Sequence, residues 1–155
     1  MKQHDIIKEV KIVSKMCEDA GKIYDHPQKF CELWSKVVES SDWHDPEKES
    51  VVVFNLNTKL GIKSWQMVAV GTINEVALTP REVFRSAVAS LAHSIVVMHN
   101  HPTGNPSPSP ADLEITRRLR DGGKVLSVTL QDHIIVGDGK NGNPTHYSFR
   151  EAGYV

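Results

Sequence analysis

Long apolar runs are missing from this chain. The longest, such as Val51-Val52-Val53-Phe54 and Ile95-Val96-Val97-Met98, extend only a few residues, and no bilayer-spanning helix can be drawn from them. The opening Met1-Lys2-Gln3-His4-Asp5 leads into no apolar segment of the kind secretion requires, so the expectation is a small soluble cytoplasmic protein. Cysteine is scarce. Cys17 and Cys31 are isolated thiols that form neither a disulfide framework nor a CxxC pair. Charge of one sign is lacking too, since 18 Lys+Arg against 19 Asp+Glu leave a net charge of −1. The chain as a whole therefore offers no electrostatic grip on nucleic-acid phosphates, although a local basic patch is not excluded by the total. What is present is globular: 39% hydrophobic and 24% charged residues suffice for a core and are too apolar for disorder. At 155 residues, one domain is the natural expectation.

Along the chain, residues 5–24 read as a strand-like arm. A helix follows over about 27–40, with Pro27 at its first position and Phe30, Leu33, Trp34, Val37 and Val38 on one face. Together, residues 1–45 form an N-terminal extension packed on, or part of, a domain over 46–155. Strands are expected over about 49–56 and 60–72, the first a central one by its β-branched content. Thr79-Pro80-Arg81-Glu82 is a capping box that opens a helix over about 80–91. Ile95–Met98 is a short buried strand, and residues 100–108, with Pro102, Gly104, Pro106 and Pro108, are a loop. Ser109-Pro110-Ala111-Asp112 opens a third helix that Gly122-Gly123 should end near 121. Two last strands are expected over about 125–130 and 133–137, before a surface turn at 138–144. The alternation predicts an α+β fold, a mixed β-sheet flanked by helices.

Among the eight histidines, most are scattered singly. His99 and His101 are not. Side chains two apart on extended backbone point the same way, and Pro102 favours that backbone at His101. The loop returns the chain to a helix whose first turn holds Asp112. Two imidazoles and a carboxylate make a three-ligand set for a borderline metal such as Zn2+, with a fourth position left for water. Such an ion lowers the pKa of its water from about 15.7 toward 7. A hydrolytic site needs in addition a base and an oxyanion donor. Ser109 is the polar candidate for the donor. Glu47, Glu49, Glu75 and Glu82 are candidates for the base, with Glu49 favoured because it opens the central strand. Two structural readings compete. Ser109 and Asp112 can cap each other's backbone amides, and a carboxylate that closes a capping box is not readily free to ligate. His133 reads as a structural histidine beside Asp132, and Arg117, Arg118, Arg120 and Lys124 as a solvated helix face. His99-Asn100-His101 also spells HNH, but that nuclease site takes its residues from separated places on a ββα unit, and the reading is set aside.

His99-x-His101 followed by Ser109-x-x-Asp112 resembles the JAMM motif of the MPN/JAB superfamily of zinc metalloproteases. His99-Asn100-His101-Pro102-Thr103-Gly104, Asp132-His133-Ile134-Ile135-Val136-Gly137-Asp138-Gly139, Tyr147-Ser148-Phe149-Arg150-Glu151, Thr79–Phe84 and Gly71-Thr72-Ile73-Asn74 are similar to the bacterial RadC-like branch. The resemblance covers roughly residues 47–151. It implies the MPN/JAB (cytidine-deaminase-like) architecture, zinc ligation by His99, His101 and Asp112, support of the tetrahedral intermediate by Ser109, and Glu49 as the catalytic glutamate. It further implies cleavage of a peptide or isopeptide bond in a protein or peptide substrate. The alternative is a non-catalytic, zinc-stabilised binding module in DNA repair or mobile-element biology. Residues 1–45 are too short for the helix-hairpin-helix segment usual in that branch, so direct DNA binding is not expected.

Overall fold

A computed structural model describes residues 21–71 and 78–155. Most of the arm expected over 5–24 lies outside the described residues, as do Glu75 and the 72–74 portion of the RadC-like stretch. Its described end is not a strand: Tyr24 is buried in irregular backbone, and its N–H donates to the Leu60 carbonyl (2.9 Å). The elements in order are α1 (Pro27–Trp34), continued by a π turn (Ser35–Glu39), β1 (Glu49–Leu56), β2 (Ile62–Gly71), α2 (Pro80–Ala89), β3 (Ser94–Asn100), α3 (Pro110–Leu126), β4 (Thr129–Val136) and β5 (His146–Ser148). They build a five-stranded sheet in the order β2-β1-β3-β4-β5. Among the described residues only the β3–β4 pair is parallel, joined through α3. This is the mixed sheet flanked by helices that the alternation of patterns predicts. Among the described residues, no helix is long and apolar enough to cross a membrane.

The sheet is covered on both faces, so its middle strand reads as a continuous apolar run. All seven residues of β3 are buried. Ile95 and Val97 join Val51 and Val53 under α2 and α3, where Val83, Phe84, Ile115 and Leu119 complete one cluster. Val96 and Met98 face the other way, with Val52, Phe54 and Ile134, against Phe30, Leu33 and Trp34 of α1. Pro27 and the His26 cap, whose Nδ1 accepts from the Gln28 N–H (3.2 Å), start α1. The π turn at its end leaves Val38 wholly buried.

Two boundaries differ from expectation. α3 runs through Gly122-Gly123 to Leu126 and ends at Ser127, which takes the left-handed conformation (φ 56°). Gly123 serves packing and not termination. A Cβ there would lie 2.4 Å from the Val128 carbonyl oxygen and 3.2 Å from Phe84 Cζ. Residues 125 and 126 are accordingly helical, and the two expected strands are one strand, β4, unbroken across Gln131-Asp132-His133. These polar residues do not break it because the buried ones are bonded. Asp132 accepts from the Ser148 hydroxyl (2.6 Å) and the Arg150 N–H (3.0 Å), holding the C-terminal turn. β5 was not anticipated. It is three residues long, too short for an alternation to register.

α3 buries Asp112, Ile115, Thr116, Leu119 and Gly123, a single stripe at helical spacing. Replacing a helical glycine by alanine ordinarily stabilises by about 1 kcal/mol. Gly123→Ala is expected to do the opposite, lowering the unfolding free energy by about 1–3 kcal/mol through overpacking against β4. Urea unfolding of the metal-free protein measures this; a midpoint at or above that of the wild type would show that the contact relaxes.

Candidate metal centre

The antiparallel pairing Val51↔His99 brings the start of β1 beside the end of β3. The N-terminus of α3 returns to the same place. Three side chains meet there. His99 Nε2 lies 3.1 Å from His101 Nε2 and 3.2 Å from Asp112 Oδ1, and His101 Nε2 lies 3.3 Å from Asp112 Oδ2. His99 and Asp112 are fully buried, and His101 is at the rim. Bonds of about 2.0–2.1 Å from a tetrahedral ion place its ligand atoms about 3.3 Å apart. The three groups already stand at that spacing.

Counting hydrogens shows what these atoms present to one another. His101 Nδ1 faces the Asn105 carbonyl oxygen at 2.9 Å. A carbonyl only accepts, so Nδ1 carries the proton and the neutral ring has a bare Nε2. His99 Nδ1 faces His133 Nε2 at 2.9 Å, and His133 Nδ1 faces Thr116 Oγ1 at 2.7 Å. Thr116 donates its one proton to the Asp112 carbonyl (2.6 Å), so it accepts from His133 Nδ1. Burial pushes the His133 pKa well below the ordinary histidine value, so the ring is neutral and its Nε2 accepts from His99 Nδ1. That leaves His99 Nε2 bare as well. With both rings neutral, two nitrogen lone pairs and a carboxylate therefore converge on one point, an arrangement that repels itself unless a proton or a metal cation sits there. The donor set fits a divalent metal ion.

Asp112 divides its two oxygens. Oδ2 accepts from the Ser109 N–H (2.7 Å) and hydroxyl (2.8 Å), while Ser109 Oγ accepts from the Asp112 N–H (3.1 Å), closing the capping box. Oδ1 is buried and no hydrogen bond reaches it. Capping and ligation do not exclude each other, contrary to the reading of the sequence, because each has its own oxygen. Burial alone would raise this carboxyl's pKa. Once protonated, the His101 and His99 rings, with the Ser109 N–H, outweigh burial and hold it far below the carboxylate range. The same carboxylate holds His101 above the ordinary histidine value, against the opposing effect of desolvation.

Beside the three lies an open groove of about 330 Å³ whose lining includes Glu49, His101, Thr103, Asn105, Ser109 and Asp112. Of the four glutamates weighed, Glu49 faces this groove. Glu82 closes the α2 capping box through Thr79 (3.0 and 2.9 Å), Glu47 stands exposed in the turn before β1, and Glu75 lies outside the described residues. Asn100, given no role of its own by the sequence, clasps the strand that carries Glu49. Its Oδ1 accepts from the Ser50 N–H (2.9 Å) and its Nδ2 donates to the Lys48 carbonyl (3.0 Å). The pairing of β1 with β3 ends at Val51↔His99, and the Asn100 amide continues it by side chain on either side of Glu49. The site loop is pinned in turn. Gly104 (φ +77°) accepts from the Asp138 N–H at 3.0 Å, and a Cβ there would lie 2.2 Å from Asp138 Oδ2. His133 is more than the structural neighbour of Asp132 that the sequence suggested, and Thr116 drew no notice at all. The signal for Thr116 was its place one turn beyond Asp112 on the buried stripe. The basic residues of α3 face solvent as expected, with Arg120 and Lys124 near Asp121.

Comparison with known proteins agrees with this geometry. The model of the RadC-like JAB domain matches residues 25–154. A UPF0758 protein of Shouchella clausii is 44% identical over 100 residues, covering 64% of this chain and 44% of its own. One of Methanococcoides burtonii is 38% identical over 109 residues (70% and 45%), and one of Pelodictyon phaeoclathratiforme 44% over 111 (72% and 48%). The chain spans less than half the length of these relatives, and their names state no activity. On the extent of the family match, together with the sheet and the convergence of His99, His101 and Asp112, this chain belongs to the RadC-like JAB domain family.

Proposed function

We propose that the chain is a JAMM-type zinc metallohydrolase that cleaves an amide bond in a peptide or isopeptide substrate. The observation that carries this reading is the meeting of two imidazole nitrogens and a carboxylate oxygen at ligand spacing, with a glutamate on the wall of the adjoining groove. Held by His99 Nε2, His101 Nε2 and Asp112 Oδ1, a zinc ion would supply a Lewis acid and a water of lowered pKa at its open position. Glu49 takes the proton of the attacking water and passes it to the leaving nitrogen. Ser109 serves the developing oxyanion by turning its hydroxyl from Asp112 Oδ2, which the Ser109 N–H goes on holding. Thr103, Asn105 and Ser107, also on the groove wall, offer hydrogen bonds to an extended peptide backbone.

Chelator competition is expected to give one zinc per chain. His99→Ala, His101→Ala and Asp112→Ala should each weaken zinc binding severely. Glu49→Gln should keep the metal and lose about 10²–10⁴-fold in cleavage of peptide and isopeptide libraries. Stoichiometric zinc with no cleavage by the wild type would defeat the hydrolase and leave a binding module.

The sign of a pH effect follows from His101. Its folded pKa is raised by Asp112, so the protonated ring stabilises the metal-free protein. That contribution is whole below the unfolded value of about 6.5 and disappears as pH rises through the folded one. His133, whose folded pKa burial depresses, acts with the opposite sign below about 6.5, so the window that isolates His101 lies above about pH 7, where urea midpoints of the metal-free protein should fall as pH rises. Saturating zinc should abolish the fall, because the ion takes the proton's place and binds better as His101 deprotonates. A metal-free midpoint that climbs through this window would contradict the assignment.

A further inference from the structure

We infer that His133, backed by Thr116, is a positioning residue of the metal centre: it fixes the tautomer of His99 so that Nε2 is left bare toward the ion. The inference rests on the metal-centre reading above. The chain of donors has a direction. Thr116 donates to the Asp112 carbonyl, His133 Nδ1 donates to Thr116, and His99 Nδ1 donates to His133 Nε2. Every member is buried, so no water competes for these bonds. The relay starts on the backbone of one ligand, Asp112, and ends on the ring of another, His99. It ties the helix start and the strand end together through the neighbouring strand β4. Orientation is set by packing: the His133 ring lies flat on Phe149, centroids 4.7 Å apart and planes 9° apart. Metal-bound histidines characteristically donate their second N–H to an outer partner that fixes tautomer and ring angle, and loss of such a partner costs about 10–100-fold in metal affinity.

A residue that merely fills space predicts something different, and three variants separate the two roles. Phenylalanine keeps the ring and its stack but removes the acceptor. His133→Phe is therefore expected to lower zinc affinity about 10–100-fold in chelator competition, while the metal-free protein melts near or above the wild type. Glutamine returns an acceptor near the place of Nε2 at the expense of the stack. His133→Gln should melt lower yet recover most of the affinity. Thr116→Val, nearly isosteric, removes the group that fixes the His133 tautomer and should weaken zinc binding in the same direction, which decides the matter should His133→Phe fail to fold. Zinc binding as tight as wild type in His133→Phe, or affinities that follow melting temperature across the three variants, would overturn the inference alone. A wild-type chain that binds no zinc would overturn the metal-centre reading and this inference with it.

Discussion

Three lone pairs are held against their own repulsion, and much of the fold is arranged to hold them. His99 Nε2, His101 Nε2 and the Asp112 carboxylate stand 3.1–3.3 Å apart with no proton fixed between them by any outer bond. Left to themselves, such side chains would rotate apart, and without a metal ion His101 takes up a proton more readily than an ordinary histidine. They are kept in place from behind: His101 by the Asn105 carbonyl, His99 by His133, Asp112 by Ser109. Each of these partners is a neutral group. The ligand set therefore carries one negative charge, and a divalent ion within it keeps net positive charge to spend on a water or a carbonyl oxygen.

Local helix chemistry and site chemistry draw on the same atoms. The Ser109–Asp112 capping box satisfies donors at the start of α3, and in doing so it fixes the carboxylate with Oδ1 turned toward His99. Asn100 has a comparable double task. Its amide finishes a strand pairing and, by gripping Lys48 and Ser50, sets the backbone on both sides of Glu49. The distance between Glu49 and the His99, His101 and Asp112 group is thereby governed by a sheet and not by a loop, a precision the proposed hydrolysis would require.

What could be read in the sequence was what local rules determine. The caps of α2 and α3, the apolar stripe of α1, the buried run of β3 and the His-x-His spacing are all short-range signals, and each element stands where its signal put it. The failures have one cause. Gly122-Gly123 has the composition of a helix end, but Gly123 is glycine because the Val128 carbonyl and Phe84 leave no room for a side chain. Gln131-Asp132 looks like a break between two strands, but Asp132 and the neighbouring His133 are paired with Ser148 and Thr116, residues 16 and 17 positions away. Contacts of that range leave no periodic trace in a single sequence. The candidate metal-binding group was legible because its three residues lie within fourteen positions. Their outer partners were not, because β4 supplies one of them across the sheet.

The same distinction bears on how the site withstands change. The ligand atoms are brought near one another by two short segments, the end of β3 and the first turn of α3, but their protonation is decided by groups on other elements. Moving a proton from one nitrogen of His99 to the other alters no backbone hydrogen bond and little packing, so what separates the two tautomers is the buried bond to His133. A metal ion is not indifferent, because a protonated Nε2 is no ligand. Folding alone therefore does not specify a working centre here. The geometry of the sheet and helix selects where the lone pairs meet, and the buried hydrogen-bond relay through Thr116 and His133 selects that they are lone pairs.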